Sequence, residues 1–402
     1  MAIAFGIWYS FSVFFVAILE EFDWSRGKTA SLFSVFVFIV GISGPFVGTL
    51  SDRFGPRKLI CMGAVLVTFG LAVCSQVNTL WQLYLFYSII TAFGIGCTGF
   101  LPNVAMITNW FHRKRGMAIG IGSAGIGVGT LVLIPLVQHF ILIASWRKAY
   151  LLLACCSLFV IIPLNIFFQR HKPEELGLLP DGESSVHGKD SFSKNFSNKV
   201  ELSPGKEWTV LGAMKDYHFW MILAGIFLVV FTTQGILIHS VARIIDGGYP
   251  KMHAAFALSI VGVMGSVGKI VWGGISDSIG RIIAYAFAGV FIIGGIVLLI
   301  ILSVTHGAFL LYVFAILFGF GYGGAAPLNA AISADIFEGE NFGAIFGWIM
   351  TGVGIGGAMG PWVVGYTFDL LGSYTLAFTL DIIFVCIAIT CFWIARPRHT
   401  YK

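Results

Sequence analysis

Long apolar runs alternate with short polar clusters along almost the whole chain. The runs are about 20 residues long, the length a helix needs to cross a hydrocarbon layer about 30 Å thick. The pattern predicts helical spans at about 1–19, 28–50, 58–76, 80–110, 116–138, 147–168, 217–243, 252–275, 282–303, 307–336, 343–368 and 374–395. One stretch breaks it. Residues 169–215 are rich in Ser, Lys, Asp and Gly, carry mixed charge and show no clear apolar period, so they predict a flexible linker. The expected architecture is an all-α integral membrane protein with twelve transmembrane helices. They form two pseudo-symmetric six-helix bundles, 1–168 and 216–402, joined by the linker 169–215.

The two halves share more than a span count. Gly48-Thr-Leu-Ser-Asp52-Arg-Phe-Gly55 returns 225 residues later as Gly273-Gly-Ile-Ser-Asp277-Ser-Ile-Gly280. At the same offset Gly94, Gly96, Gly99 and Pro102 become Gly319, Gly321, Gly324 and Pro327. After a two-residue slip, Gly116, Gly120, Gly125, Gly127 and Gly129 become Gly343, Gly347, Gly352, Gly354 and Gly356. A duplicated bundle in so apolar a chain points to a transporter.

Composition agrees. The 402 residues are 57% hydrophobic and only 11% charged, with mean hydropathy +0.90, whereas soluble domains carry roughly a quarter charged residues. Fifty glycines suit membrane helices that approach closely. The seven cysteines all fall inside apolar runs, without metal-ligand or disulfide-framework spacing, and read as small core residues. Met1 leads straight into an apolar run that has no cleavage site and almost no polar lead-in, which points to a truncated or misassigned start.

Charge orients the spans. Most of the 24 Lys and Arg fall on the side of the chain ends: Arg53, Arg57, Lys58, Arg113, Lys114, Arg115, the linker's cations, Arg281, Arg396, Arg398 and Lys402. Only Arg26, Lys28, Arg147, Lys148, Arg243 and Lys251 fall on the other side. The bias puts both termini in the cytoplasm of a cell (inner) membrane, although Asp335, Glu338 and Glu340 make one loop on that side acidic. The net charge of +5 is therefore topological and implies no nucleic acid. On that side the Asn195-Phe-Ser197 glycosylation triplet would be idle.

Two features call for chemistry or for its dismissal. Gly120-Ile-Gly122-Ser-Ala-Gly125 matches a dinucleotide-binding string, but it lies inside an apolar helix with no preceding strand, so helix packing explains it and no cofactor is expected. Lys269 is different. It replaces Gly44 of the first half and sits eight residues, about 12 Å, before Asp277, close to the midplane. A lysine there costs roughly 3 kcal/mol unless it faces a wet cavity or a partner. No acid in the neighbouring helices neutralises it, leaving an anionic substrate as counter-ion; the alternative is a structural lysine that snorkels.

Tyr9, Asn103, Tyr322 and Asn329 reach similar depth and could bind a carboxylate or hydroxyl, or equally make interhelical hydrogen bonds. Asp52 and Asp277, with Arg53, Arg57 and Arg281, can latch helix ends through charge-assisted bonds; a merely orienting loop is the alternative. His239 suits an outer gate or a proton step, or a structural bond to a backbone carbonyl. Asp381, the deepest acid, is a candidate for coupling. No paired intramembrane carboxylates, metal cluster or nucleophile–base pair suggests an enzyme.

The repeated Gly-x-x-Ser-Asp-x-x-Gly turn resembles the signature loop of the major facilitator superfamily. Within it the chain is similar to the monocarboxylate transporter and oxalate/formate antiporter branch. The residues that carry this are Gly6-Ile-Trp-Tyr-Ser-Phe-Ser-Val-Phe-Phe15, Asn109-Trp-Phe-His-Arg-Lys-Arg-Gly116, Lys172-Pro-Glu-Glu-Leu-Gly177 with Leu179-Pro-Asp-Gly182, and Gly319-Phe-Gly-Tyr-Gly323. The resemblance implies two bundles around a cavity that opens alternately to each side. It also implies a span 8 cation, usually arginine, against a carboxylate, and a peripheral span 12. His239 resembles a histidine common in the branch. Oxalate carriers of the family use a further lysine in span 11, and Gly347-Trp-Ile-Met-Thr-Gly352 has none. The expectation is a monomeric, proton-coupled carrier of a small monocarboxylate such as lactate or pyruvate. The alternatives are oxalate/formate-type exchange and a transporter-like solute receptor.

Overall fold

In a computed structural model the chain is described over residues 1–110, 115–169, 208–302, 307–337 and 342–396. Most of the linker, Asn195, Arg113, Lys114, Glu338, Glu340, Arg398 and Lys402 lie outside the described residues, as does the side chain of Asp52.

Helices account for the described structure, with no strand among the described residues. Eleven are long and apolar enough to cross a membrane: Ala2–Phe22, Arg26–Gly44 (the leading part of a helix that runs to Phe54), Pro56–Cys74, Leu80–Val104, Ile121–Ile143, Trp146–Phe168, Tyr217–Asp246, Lys251–Ile279, Arg281–Ile301, Ala308–Ile336 and Thr375–Ile394. They are spans 1–10 and span 12. The predicted span 11 is built as Phe342–Ile349 and Thr351–Leu371, where close-set glycines dilute the apolar character.

The repeated turn has a backbone reason. Gly55 and Gly280 adopt φ of 80° and 93°, each ending one helix and starting the next. A Cβ is disfavoured there, so glycine is what lets spans 2 and 3, and spans 8 and 9, fold back within one residue. The end of the bundle carrying these turns is called here the motif end; the other is the opposite end.

Span 4 departs from a simple helix. It contains a π-helical stretch, Tyr84–Thr91, and breaks at Gly99 before resuming as Phe100–Trp110. Pro102 has no N–H to donate to the Thr98 carbonyl four residues back. The Asn103 side chain replaces that donor, reaching Thr98 O at 2.9 Å and Gly99 O at 2.6 Å. Span 10, its repeat partner, is a continuous helix through Pro327.

Aromatic side chains fill the first half, with Phe14 stacked on Tyr150 at 3.9 Å and Phe11, Phe33, Phe36 and Tyr87 grouped beside them. At the end of the predicted linker Val210–Met214 is a helix capped by Thr209, and Trp208 packs edge-on against Phe337.

Candidate functional site

Spans 1, 5, 8 and 10 bring three of the sequence candidates together where the halves meet. Tyr9 from span 1 and Tyr322 from span 10 hydrogen-bond through their hydroxyls at 2.7 Å. Lys269 from span 8 lines the same pocket, with Ser266 one turn before it and Thr130 from span 5. The remaining wall is aliphatic, including Ile126, Leu237, Leu258 and Val261. The free void is about 10 Å³, room for about one water molecule.

Local packing explains the geometry. Gly265 lies one turn before Lys269, and a Cβ there would come within 3.3 Å of the Tyr322 ring, so the bare backbone admits that ring. Gly262 does the same for Thr130, whose Oγ1 lies 2.1 Å from where a Cβ would stand. Lys269 makes no hydrogen bond or ion pair among the described residues. Thr130 and Ser266 already donate to carbonyls of their own helices, Gly127 at 2.9 Å and Gly262 at 3.3 Å.

The other candidates lie elsewhere. Asn103 is spent on the break in span 4. Asn329 is buried, and its side-chain oxygen has no partner, but it does not line the pocket. His239 is fully buried between spans 7, 11 and 12, bonded to the Pro361 carbonyl at 2.8 Å and the Tyr374 hydroxyl at 3.0 Å. Asp381 is buried against Thr232, whose hydroxyl donates to it at 3.1 Å.

At the motif end the described latch residues Arg53, Arg57, Asp277 and Arg281 find partners within their own halves. Arg281 bonds Asp277 at 2.6 Å, Ser276 at 3.0 Å and Asp335 at 3.4 Å, all in the second half. Arg57 donates to the Ile166 carbonyl in the first half, and exposed Arg53 lies over the Phe54 ring.

Among the described residues the charged ties across the halves are at the opposite end, among residues that in the sequence are ordinary loop charges. Arg26, at the start of span 2, pairs with Asp246 at the end of span 7 at 2.7 Å. It also donates to the Tyr374 hydroxyl at 2.6 Å and stacks over Phe368 at 3.9 Å. Asp369 of span 11 accepts from the backbone N–H groups of Arg26 and Gly27 at 2.8 and 2.7 Å, capping a helix of the other half. Lys251 reaches Glu20 at 2.6 Å. The available signal was opposite charge at span ends on one side of the bundle, but which ends meet is a matter of tertiary structure.

Glycines map the same asymmetry. A Cβ on Gly27 would lie 3.1 Å from Tyr366, one on Gly357 2.8 Å from Val37, and one on Gly127 2.7 Å from Ser266, each across the halves. Toward the motif end, a Cβ on Gly48, Gly273, Gly274 or Gly347 would meet nothing within 4 Å. Among the described residues, the contacts between the halves gather at the pocket and toward the opposite end.

A sequence profile of the Major Facilitator Superfamily matches residues 1–325 and 290–402. The chain is 25% identical to monocarboxylate transporter 13 of Rattus norvegicus over 379 residues, covering 94% of this chain and 82% of the relative. It is 28% identical to monocarboxylate transporter 12-B of Danio rerio over 389 residues, covering 92% and 79%. Among solved structures the nucleoside transporter NupG superposes with a TM-score of 0.77 over 98% of both chains, at 12% identity, a likeness of fold alone.

Proposed function

The chain belongs to the Major Facilitator Superfamily, and from that premise we propose that it moves a small monocarboxylate across the membrane by alternating access, coupled to a proton. That it is a multi-pass membrane transporter rather than an enzyme, with a small molecule as substrate, follows from the family and its relatives. The observation that carries the finer reading is Lys269: a cation without a carboxylate partner among the described residues, on the wall of a pocket shared by both halves.

A substrate carboxylate would pair with the Lys269 ammonium and take hydrogen bonds from the Tyr9 and Tyr322 hydroxyls in place of the bond they make to each other. The aliphatic wall suits a short carbon tail. Because the two phenols belong to opposite halves, the anion would engage both bundles at once, which is how binding energy can drive rocking of one against the other. The pocket presents one cation, which favours a monoanion over the dianion of an oxalate-type exchanger. We place the motif end in the cytoplasm on its excess of Lys and Arg, so the end at which Arg26, Asp246, Asp369 and Tyr374 tie the halves together faces outward.

Thermal unfolding of the purified protein with lactate, pyruvate, acetate, formate and oxalate tests this, since a ligand that binds the folded state raises its apparent stability. Stabilisation by one or more monocarboxylates, and none by oxalate, is expected. Stabilisation by oxalate alone would favour the exchanger, and binding without counterflow in liposomes would favour a receptor.

A further inference from the structure

Among the described residues, Asp381 is an acid sealed inside the second half. It is 1% exposed, with one carboxyl oxygen held by Thr232 and the other without a partner. It lies six residues into span 12, about 9 Å along the helix, and faces the middle of span 7 rather than the substrate pocket. We propose that the Asp381–Thr232 clasp is the site that carries the coupled proton, an inference that rests on the transport reading above.

Three observations support it. First, among the described residues no cation bonds to or pairs with the clasp, and span 11, which packs on spans 7 and 12, carries as ionisable groups only Tyr366 and an Asp369 held by the Arg26 and Gly27 N–H groups. On span 7 the nearby ionisable groups are His239, engaged by Pro361 and Tyr374, and Arg243, which donates to the Ile300 carbonyl. On span 9 it is Tyr285, whose ring packs on Phe392. An ionised carboxylate in such surroundings is far more costly than a neutral acid.

Second, the unpartnered oxygen leaves a position at which an O–H bond forms and breaks without dismantling the Thr232 contact. Proton uptake from water reaching the clasp through the opened opposite end converts the carboxylate to the acid; release, to water admitted from the motif side in a step after the sealed state described, restores the carboxylate, and no other covalent bond changes.

Third, the clasp is geared to the gate. Spans 7 and 12 run antiparallel with two polar contacts seven residues apart on each helix, Thr232 to Asp381 and His239 to Tyr374. Tyr374 is also held by Arg26 of the other half. Opening the opposite end must release Arg26 from Tyr374, which frees the end of span 12 and lets water approach the carboxyl. Proton access is thereby tied to the same movement that exposes the substrate pocket.

The test uses the full chain in liposomes, with whichever radiolabelled monocarboxylate among lactate, pyruvate, acetate and formate the wild type exchanges. Two readouts are compared: counterflow, which needs rocking but no net proton movement, and accumulation driven by an imposed pH gradient. Asp381→Asn should keep counterflow near the wild-type rate and lose gradient-driven accumulation completely, and Asp381→Glu should recover it. Gradient-driven accumulation by Asp381→Asn would overturn the proposal. So would loss of both activities in Asp381→Asn and Asp381→Glu, which would mark the carboxyl as structural. Absence of exchange in the wild type would instead sink the transport reading on which the proposal stands.

Discussion

The two ends of the interface between the halves are built from the same kinds of residue and behave in opposite ways. At the opposite end, Arg26, Asp246, Asp369 and Tyr374 cross from one half to the other, and from there to the pocket glycines of spans 2, 5, 8 and 11 press directly on the facing helix. At the motif end Arg281, Asp277 and Asp335 are paired within one half, and Gly48, Gly273, Gly274 and Gly347 have open space before them. Among the described residues, the glycines that touch the other half lie from the pocket toward the opposite end, an arrangement compatible with rocking about a central site.

That contrast can be sharpened by crowding the contact between the halves beside the pocket. Gly262→Val would drive a side chain into Thr130 where spans 5 and 8 meet. It should cost several kcal/mol of stability or force the halves apart, on the order of 3 kcal/mol for an overpacked contact, read as a large drop in melting temperature.

Removing the principal cross-half cation comes next. Arg26→Ala strips Asp246 and Tyr374 of a shared donor. With Asp246 partly solvated, about 1–3 kcal/mol should be lost from the closed opposite end. Distances between spin labels on the span 1–2 and span 7–8 turns should lengthen in a larger fraction of molecules. An unchanged distribution would mean that Arg26 is not a latch.

The open end offers a gentler test. Gly273→Leu should fold normally, because nothing stands within 4 Å of its Cβ, yet it should slow transport by obstructing closure of the motif end. Folding as stable as wild type with wild-type transport would show that these glycines never meet the other half.

The smallest effects are expected in the pocket. Tyr9→Phe and Tyr322→Phe each remove one hydroxyl and should weaken substrate binding about ten-fold, the cost of one hydrogen bond of about 1.4 kcal/mol, with little change in melting temperature.

The contrast also explains what could be read from the chain. Span positions followed from apolar run length, because hydrophobicity reports depth in the bilayer directly. Helix rotation did not. Gly94 and Gly319 are equivalent in sequence, yet Gly94 packs on Gly63 and Val67 of span 3 while Gly319 packs on Val261 and Met264 of span 8, the counterpart of span 2. Each π-helical turn rotates the helix beyond it, and span 4 has such turns before Gly94 where span 10 has none. Asn103 looked like a pocket residue by depth, but a proline one residue earlier claims its side chain for the backbone. Lys269 was visible because the repeat has glycine at that register and because a charge at the midplane demands a reason. Arg26 and Asp369 were not, since a charge at a span end is ordinary until the helix it meets is known.

Lys269 carries the account, and one substitution addresses it. Purified Lys269→Gln should melt close to the wild type, show no thermal stabilisation by the monocarboxylates that stabilise the wild type, and support no saturable uptake in liposomes. If Lys269→Gln is still stabilised by the same acids and transports them at the wild-type rate, the ammonium is not the anion site and the monocarboxylate reading falls.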